Sequence, residues 1–165
     1  RMHFRPAGDA EAFQMIREGV KLPKGVQDKI PDLVHAVACD KDIVALFAFG
    51  SLARNALKPM SDLDFGVLLS FRLDKDGRFE KHIKLIGLFT DFLKTDEIDL
   101  IDMNDVPPRI AFQILKTGKL LFCNDRAALI DFRERLVKKY LDFKPAREAF
   151  DSVFLKGIGY HGRAD

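Results

Sequence analysis

Residues 49–69 read FGSLARNALKPMSDLDFGVLL, and two features of that stretch decide the reading. A Gly50-Ser51 turn follows one apolar run, and Asp62 and Asp64 stand one residue apart at the head of another. Side chains at i and i+2 of a strand point to the same face, so the two carboxylates aim alike from backbones about 7 Å apart. Like charges so placed repel, and each raises the other's pKa unless a cation sits between them. A divalent metal is the simplest resolution, and hard oxygen ligands of this kind suit Mg²⁺ or Mn²⁺.

The turn beside the pair has its own chemistry. Glycine lets a ligand approach the backbone closely, and a helix N-terminus offers unpaired N–H groups and the positive end of a dipole. Ser51 adds a hydroxyl, and as a helix N-cap it serves structure at the same time. A phosphate seat next to paired metal carboxylates is what nucleotidyl transfer requires, since metal ions neutralise and orient a triphosphate during in-line displacement. A two-metal site needs a third carboxylate from another element. Residues 97–103 (EIDLIDM) offer Glu97, Asp99 and Asp102. Asp99 is the choice, because it sits mid-strand between Ile98 and Leu100, whereas Asp102 lies where the strand gives way to a loop. Arg54 reads equally as a phosphate contact or as a charge on a helix surface.

Working outward, 43–49 (IVALFAF) is apolar throughout and suits a strand covered on both faces. A short helix is expected around 52–57, then a strand over 62–69. Residues 74–77 (DKDG) read as a loop and 79–94 as an amphipathic helix with Ile83, Ile86, Phe89 and Leu93 facing inward. A strand over 97–103 precedes a helix from Pro107-Pro108 through Leu115, which Gly118 caps. Residues 119–123 (KLLFC) read as a last short strand. Upstream, helices are expected over 9–18 and from about 30 to 39. Downstream, two helices are expected over 125–142 and 145–156, the first with Leu129, Phe132, Leu136 and Tyr140 on its inner face. The order indicates an α/β protein with a mixed sheet of about four strands flanked by helices. The expected organisation is one domain over 1–165, with a catalytic core over about 30–123 and a C-terminal helical segment over about 125–156.

Composition excludes several alternatives. A hydrophobic share of 47% with 32% charged residues describes a globular chain rather than a disordered one. The net charge of +2 is too small to argue for direct nucleic-acid binding, and none is expected. No apolar run reaches the ~20 residues of a membrane span and no signal-peptide pattern opens the chain, so a cytoplasmic protein is expected. Cys39 and Cys123 read as small buried hydrophobes in a reducing compartment. His3, His35, His82 and His161 lack metal-ligand spacing.

The spacing of Gly50, Ser51, Ala53, Arg54, Ser61, Asp62 and Asp64 resembles that of the DNA polymerase β-type nucleotidyltransferases. The segments EIDLIDMNDVPP (97–108), ILKTGKLLF (114–122) and YLDF (140–143) are similar to the minimal nucleotidyltransferase antitoxins of the MntA type. One departure is Asn55, where that pattern has glycine; Asn tolerates a left-handed backbone better than most residues. The resemblance implies a nucleotidyltransferase fold and Mg²⁺-dependent transfer of AMP from ATP to a tyrosine of a partner HEPN-type toxin. It implies Gly50 and Ser51 on the triphosphate, with Arg54 as a further candidate there. Asp62, Asp64 and Asp99 would act as metal ligands for two ions, with Asp99 also helping to deprotonate the acceptor. Two other functions fit the same sequence: nucleotidyl transfer to a small molecule of the antibiotic type, and an antitoxin that neutralises by contact alone.

Overall fold

All six residues of the first strand, Ile43–Ala48, are buried in the computed structural model, which describes residues 21–157. A strand with no polar position needs cover on both faces, and this one (β1) lies inside the sheet. It pairs antiparallel with β2 (Leu63–Leu69) on one side and with β4 (Lys119–Cys123) on the other, while β3 (Ile98–Asp102) runs parallel to β2. The order across the sheet is β3-β2-β1-β4.

Five α-helices complete the described chain: α1 (Ile30–Ala38), α2 (Gly50–Ala53), α3 (Lys75–Leu93), α4 (Pro108–Thr117) and α5 (Arg126–Gly157). A 3-10 turn, Val26–Lys29, leads into α1. One face of the sheet packs on α1 and α3, where Leu33, Val37, Leu85, Phe89 and Leu93 meet Leu63, Phe65, Val67 and Leu100. The other face packs on α4 and α5, where Ala111, Ile114, Phe132 and Leu136 meet Val44, Phe47, Leu68 and Met103. This is the mixed α/β sheet expected from the element order.

Specific contacts fix the edges of this sandwich. Asn104 continues the β2–β3 ladder with its side chain, accepting from the Leu69 N–H at 2.8 Å and donating to the Leu69 carbonyl at 3.0 Å. Lys81 on α3 reaches Asp40 at 2.6 Å and Asp42 at 3.0 Å, tying that helix to the loop that feeds β1. The Arg78–Asp105 pair at 3.0 Å ties α3 to the loop after β3.

Several sequence expectations need correction. Helix α2 begins at Gly50 itself and ends at Ala53, earlier than expected, and Asn55 follows with φ 51°. Helix α3 begins at Lys75, because Asp74 accepts from the Gly77 N–H at 2.8 Å and turns the expected loop into a capped first turn. Ile83 faces outward, and Leu85 takes an inner position instead. Gly118 caps α4 as expected, its N–H donating to the Ile114 carbonyl at 2.7 Å, with an extended backbone (φ −76°, ψ 157°). It is glycine for space: a Cβ there would lie 2.5 Å from the Ile114 carbonyl oxygen and 3.0 Å from that of Ala48. The two expected C-terminal helices are one, α5, with Pro145 inside it. A proline removes one i→i−4 hydrogen bond without necessarily ending a helix, and the flanking Ala, Arg and Glu are strong helix formers. Cys39 is exposed and Cys123 half-buried, so neither is a core residue, and both are free thiols. The helix expected over 9–18 lies outside the described residues. Among those described, no helix is long and apolar enough to cross a membrane.

One aromatic contact packs α3 against the underside of β2. Phe65 and Phe89 meet edge to face, with centroids 5.1 Å apart and neither ring exposed. Replacing Phe89 with alanine is expected to remove about 3–5 kcal/mol of stability, measured as the change in denaturation midpoint at constant slope.

Candidate active site

Strand direction brings the candidate residues together. β1 ends where β2 begins, so the Gly50-Ser51 turn and the Asp62–Asp64 pair share one end of the sheet. β3 is parallel to β2, and its register sets Asp99 opposite Asp64. Asp62 lies just before β2, and its charge still bears on Asp64. Lys119 begins β4 opposite Ala48 and so lies at the same end.

Parity determines which face the acids occupy. Leu63 and Phe65 belong to the core under α1 and α3, so Asp64 and Gly66 point the other way. A Cβ on Gly66 would meet Ile114 and Met103, which confirms the α4 side. Asp99 shares that face, since its neighbour Leu100 lies in the opposite core and Ile101 packs with α4 and α5.

Asp64 is held by its surroundings rather than by an ion pair. Its backbone carbonyl accepts from the Phe49 N–H at 3.0 Å, which docks the turn onto β2. Its carboxylate lies against the α-carbon of Gly50, and a Cβ there would sit 2.9 Å from Asp64 Cγ and clash with the carboxylate oxygen. Gly50 also has φ +59°, the left-handed region in which other residues are strained. Two independent constraints therefore require this glycine. The N-terminus of α2 has no side-chain cap from its own N-cap residue. The Ser51 backbone amide favours the Asp64 anion.

These surroundings raise the Asp64 pKa from 3.8 to about 6. Burial is the largest cause, the charges of Asp99 and Asp62 add to it, and Arg54 and the Ser51 N–H oppose it. Asp102 is also raised, chiefly by burial, but it accepts from the Asn104 N–H at 2.9 Å and opens the turn after β3. It is a structural acid, in keeping with its place at the strand end. Glu97 contributes its backbone carbonyl, accepting from Leu63 N–H at 2.9 Å.

Among the described residues, no three His, Cys, Asp or Glu side chains form a metal cage by themselves. The donor chemistry still suits a hard cation, because the charges of Asp62 and Asp99 both bear on the Asp64 carboxylate and all three are oxygen donors. A cavity of about 420 Å³ lies on the α1 side of α2, lined by Ile30, Val34, Leu52, Asn55 and Lys119 among others. It contains none of the three carboxylates and lies across the sheet from them. Lys119 was not singled out in the sequence, where Gly118-Lys119 read only as a helix end followed by a strand.

The Polymerase beta, Nucleotidyltransferase family model matches residues 32–127, more than half of the chain. No curated protein gives a significant sequence match. Among solved structures, a chain of a toxin-antitoxin crystallised with AMP-PNP is 25% identical, with a TM-score of 0.57. The match covers 78% of this chain and 98% of that one. A mutant of the toxin-antitoxin MntA-HpeT is also 25% identical, with a TM-score of 0.56 and coverage of 78% and 97%. A complex of a tri-AMPylated Shewanella oneidensis HEPN toxin with MNT antitoxin is 24% identical. Its TM-score is 0.52 and its coverage 78% and 96%, a likeness of fold.

The raised Asp64 pKa has a defined consequence for stability. Between pH 3.8 and about 6 the folded protein keeps a proton that the unfolded chain has lost, so stability falls as pH rises through that window and levels off above it. Asp99→Asn removes one of the repelling charges. It is expected to flatten the fall and raise the melting temperature of the metal-free protein at pH 7, as read by calorimetry from pH 4 to 8.

Proposed function

The chain belongs to the Polymerase beta nucleotidyltransferase family, and on that footing we propose that it transfers AMP from ATP to a hydroxyl, in the presence of Mg²⁺. The acceptor is a tyrosine of a partner HEPN-type toxin, and the protein acts as the antitoxin. What supports the reading is the register that sets Asp99 opposite Asp64, with Asp62 just before the same strand and the glycine turn against the Asp64 carboxylate. The solved toxin-antitoxin with AMP-PNP, a structural neighbour over most of both chains, supports the substrate class and the partner.

In this reading Asp62, Asp64 and Asp99 would hold the divalent ions, hard oxygen donors of the kind Mg²⁺ takes. The ions, when bound, supply charge neutralisation for the triphosphate and for the leaving pyrophosphate. Gly50 and Ser51 receive the phosphate oxygens through backbone N–H groups and the Ser51 hydroxyl, and Arg54 adds a cation at the turn. The acceptor oxygen attacks the α-phosphorus, the bond to pyrophosphate breaks, and Asp99 receives the hydroxyl proton.

The test is incubation with ATP, Mg²⁺ and the product of the neighbouring gene, followed by intact-mass and peptide analysis. One or more AMP units on a tyrosine of the partner are expected, and none with an Asp62→Asn/Asp64→Asn variant. An authentic partner that gains no mass contradicts the proposal.

A further inference from the structure

Asp99 stands on an edge strand, β3, whose one neighbour in the sheet is β2. Among the described residues no side-chain hydrogen bond or ion pair holds its carboxylate. Its position is therefore set through the backbone of β3. A parallel strand bonds its neighbour through alternate residues. Leu63 N–H donates to the Glu97 carbonyl at 2.9 Å, and Met103 N–H to the Val67 carbonyl at 2.8 Å. Glu97, Asp99, Ile101 and Met103 thus turn their backbone groups toward β2, and Ile98, Leu100 and Asp102 turn theirs toward the open edge.

At that edge α3 supplies what a further strand would have. His82 Nε2 lies 2.6 Å from the Leu100 carbonyl oxygen. A carbonyl only accepts, so Nε2 carries the proton and donates. Leu100 follows Asp99 directly, and its side chain is buried in the core beneath α3. That residue is gripped twice, by packing and by His82, one peptide away from the carboxylate. One turn earlier on the same side of α3, Arg78 pairs with Asp105 at 3.0 Å and donates to the Leu73 carbonyl at 3.0 Å. Arg78 thereby anchors the loop after β3. Among the described residues, His82 is the side chain that bonds the strand itself.

We infer that His82 is a positioning residue for Asp99, its hydrogen bond to the Leu100 carbonyl holding the open edge of β3 so that the carboxylate stays opposite Asp64 for a divalent ion. This role rests on the proposed part of Asp99 in holding a metal, and is independent of the acceptor.

Mn²⁺ binding to the full chain without nucleotide, read from the paramagnetic resonance of the free ion, tests it. His82→Ala is expected to weaken binding roughly fivefold, the worth of one hydrogen bond. His82→Gln offers an amide N–H in place of Nε2 and is expected to stay within about twofold of the native chain. Lys81→Ala removes the ties to Asp40 and Asp42 from the adjacent position of α3. It is expected to lower the melting temperature and leave Mn²⁺ binding unchanged, which separates positioning from general stability. Native affinity in His82→Ala overturns the inference, as does a glutamine variant no better than the alanine one, or a Lys81→Ala variant weakened as much. A native chain that binds no Mn²⁺ overturns it together with the metal reading. The expected His82 pattern in a chain that adds no AMP to an authentic partner supports the inference and sinks the proposed reaction alone.

Discussion

The parallel pairing of β2 with β3 is the constraint on which the site depends. Had β3 run the other way, Asp99 would lie at the far end of the sheet from Asp62 and Asp64. Parallel strands need a long crossover, and α3 supplies it, packed by Phe89 beneath Phe65. The apolar core under one face of β2 thus fixes the register that gathers acids on the other. Each residue of that strand serves one side or the other. Leu63, Phe65, Val67 and Leu69 go inward beneath α3, and Asp64 and Gly66 go toward α4.

That arrangement stores a local conflict. A half-buried carboxylate facing two others is disfavoured as an anion, and the protein relieves it only in part, through Arg54 and one backbone N–H. Functional sites are where such local costs are expected to persist. Gly50 is part of the same design, because it yields the space that the Asp64 carboxylate occupies. The turn and the acid pair are therefore one unit, each shaped by the other.

Much of this was legible in the sequence because charge stands out in apolar strands. Asp62-x-Asp64 and Asp99 interrupt hydrophobic runs, and the unbroken IVALFAF run suits a strand covered on both faces. The pairing of Asp64 with Asp99 was not legible, since register is a property of two strands and parity only nominates a candidate. The start of α2 was missed because four residues carry no helical period. The cap at Gly118 was legible, but its reason was not, since crowding by two carbonyl oxygens depends on where the helix end meets β1. Ile83 misled because the apolar residues of α3 cover more than one face.

Carboxyl-carbon NMR of Asp64, titrated in the free protein and again with Mg²⁺ and a non-hydrolysable ATP analogue, tests the central claim most directly. The account predicts a midpoint at about 6 in the free protein and a fall of more than about one unit on loading, because a bound cation favours the ionised form. A midpoint in the ordinary carboxylate range in the free protein, or one that loading leaves unmoved, would contradict it.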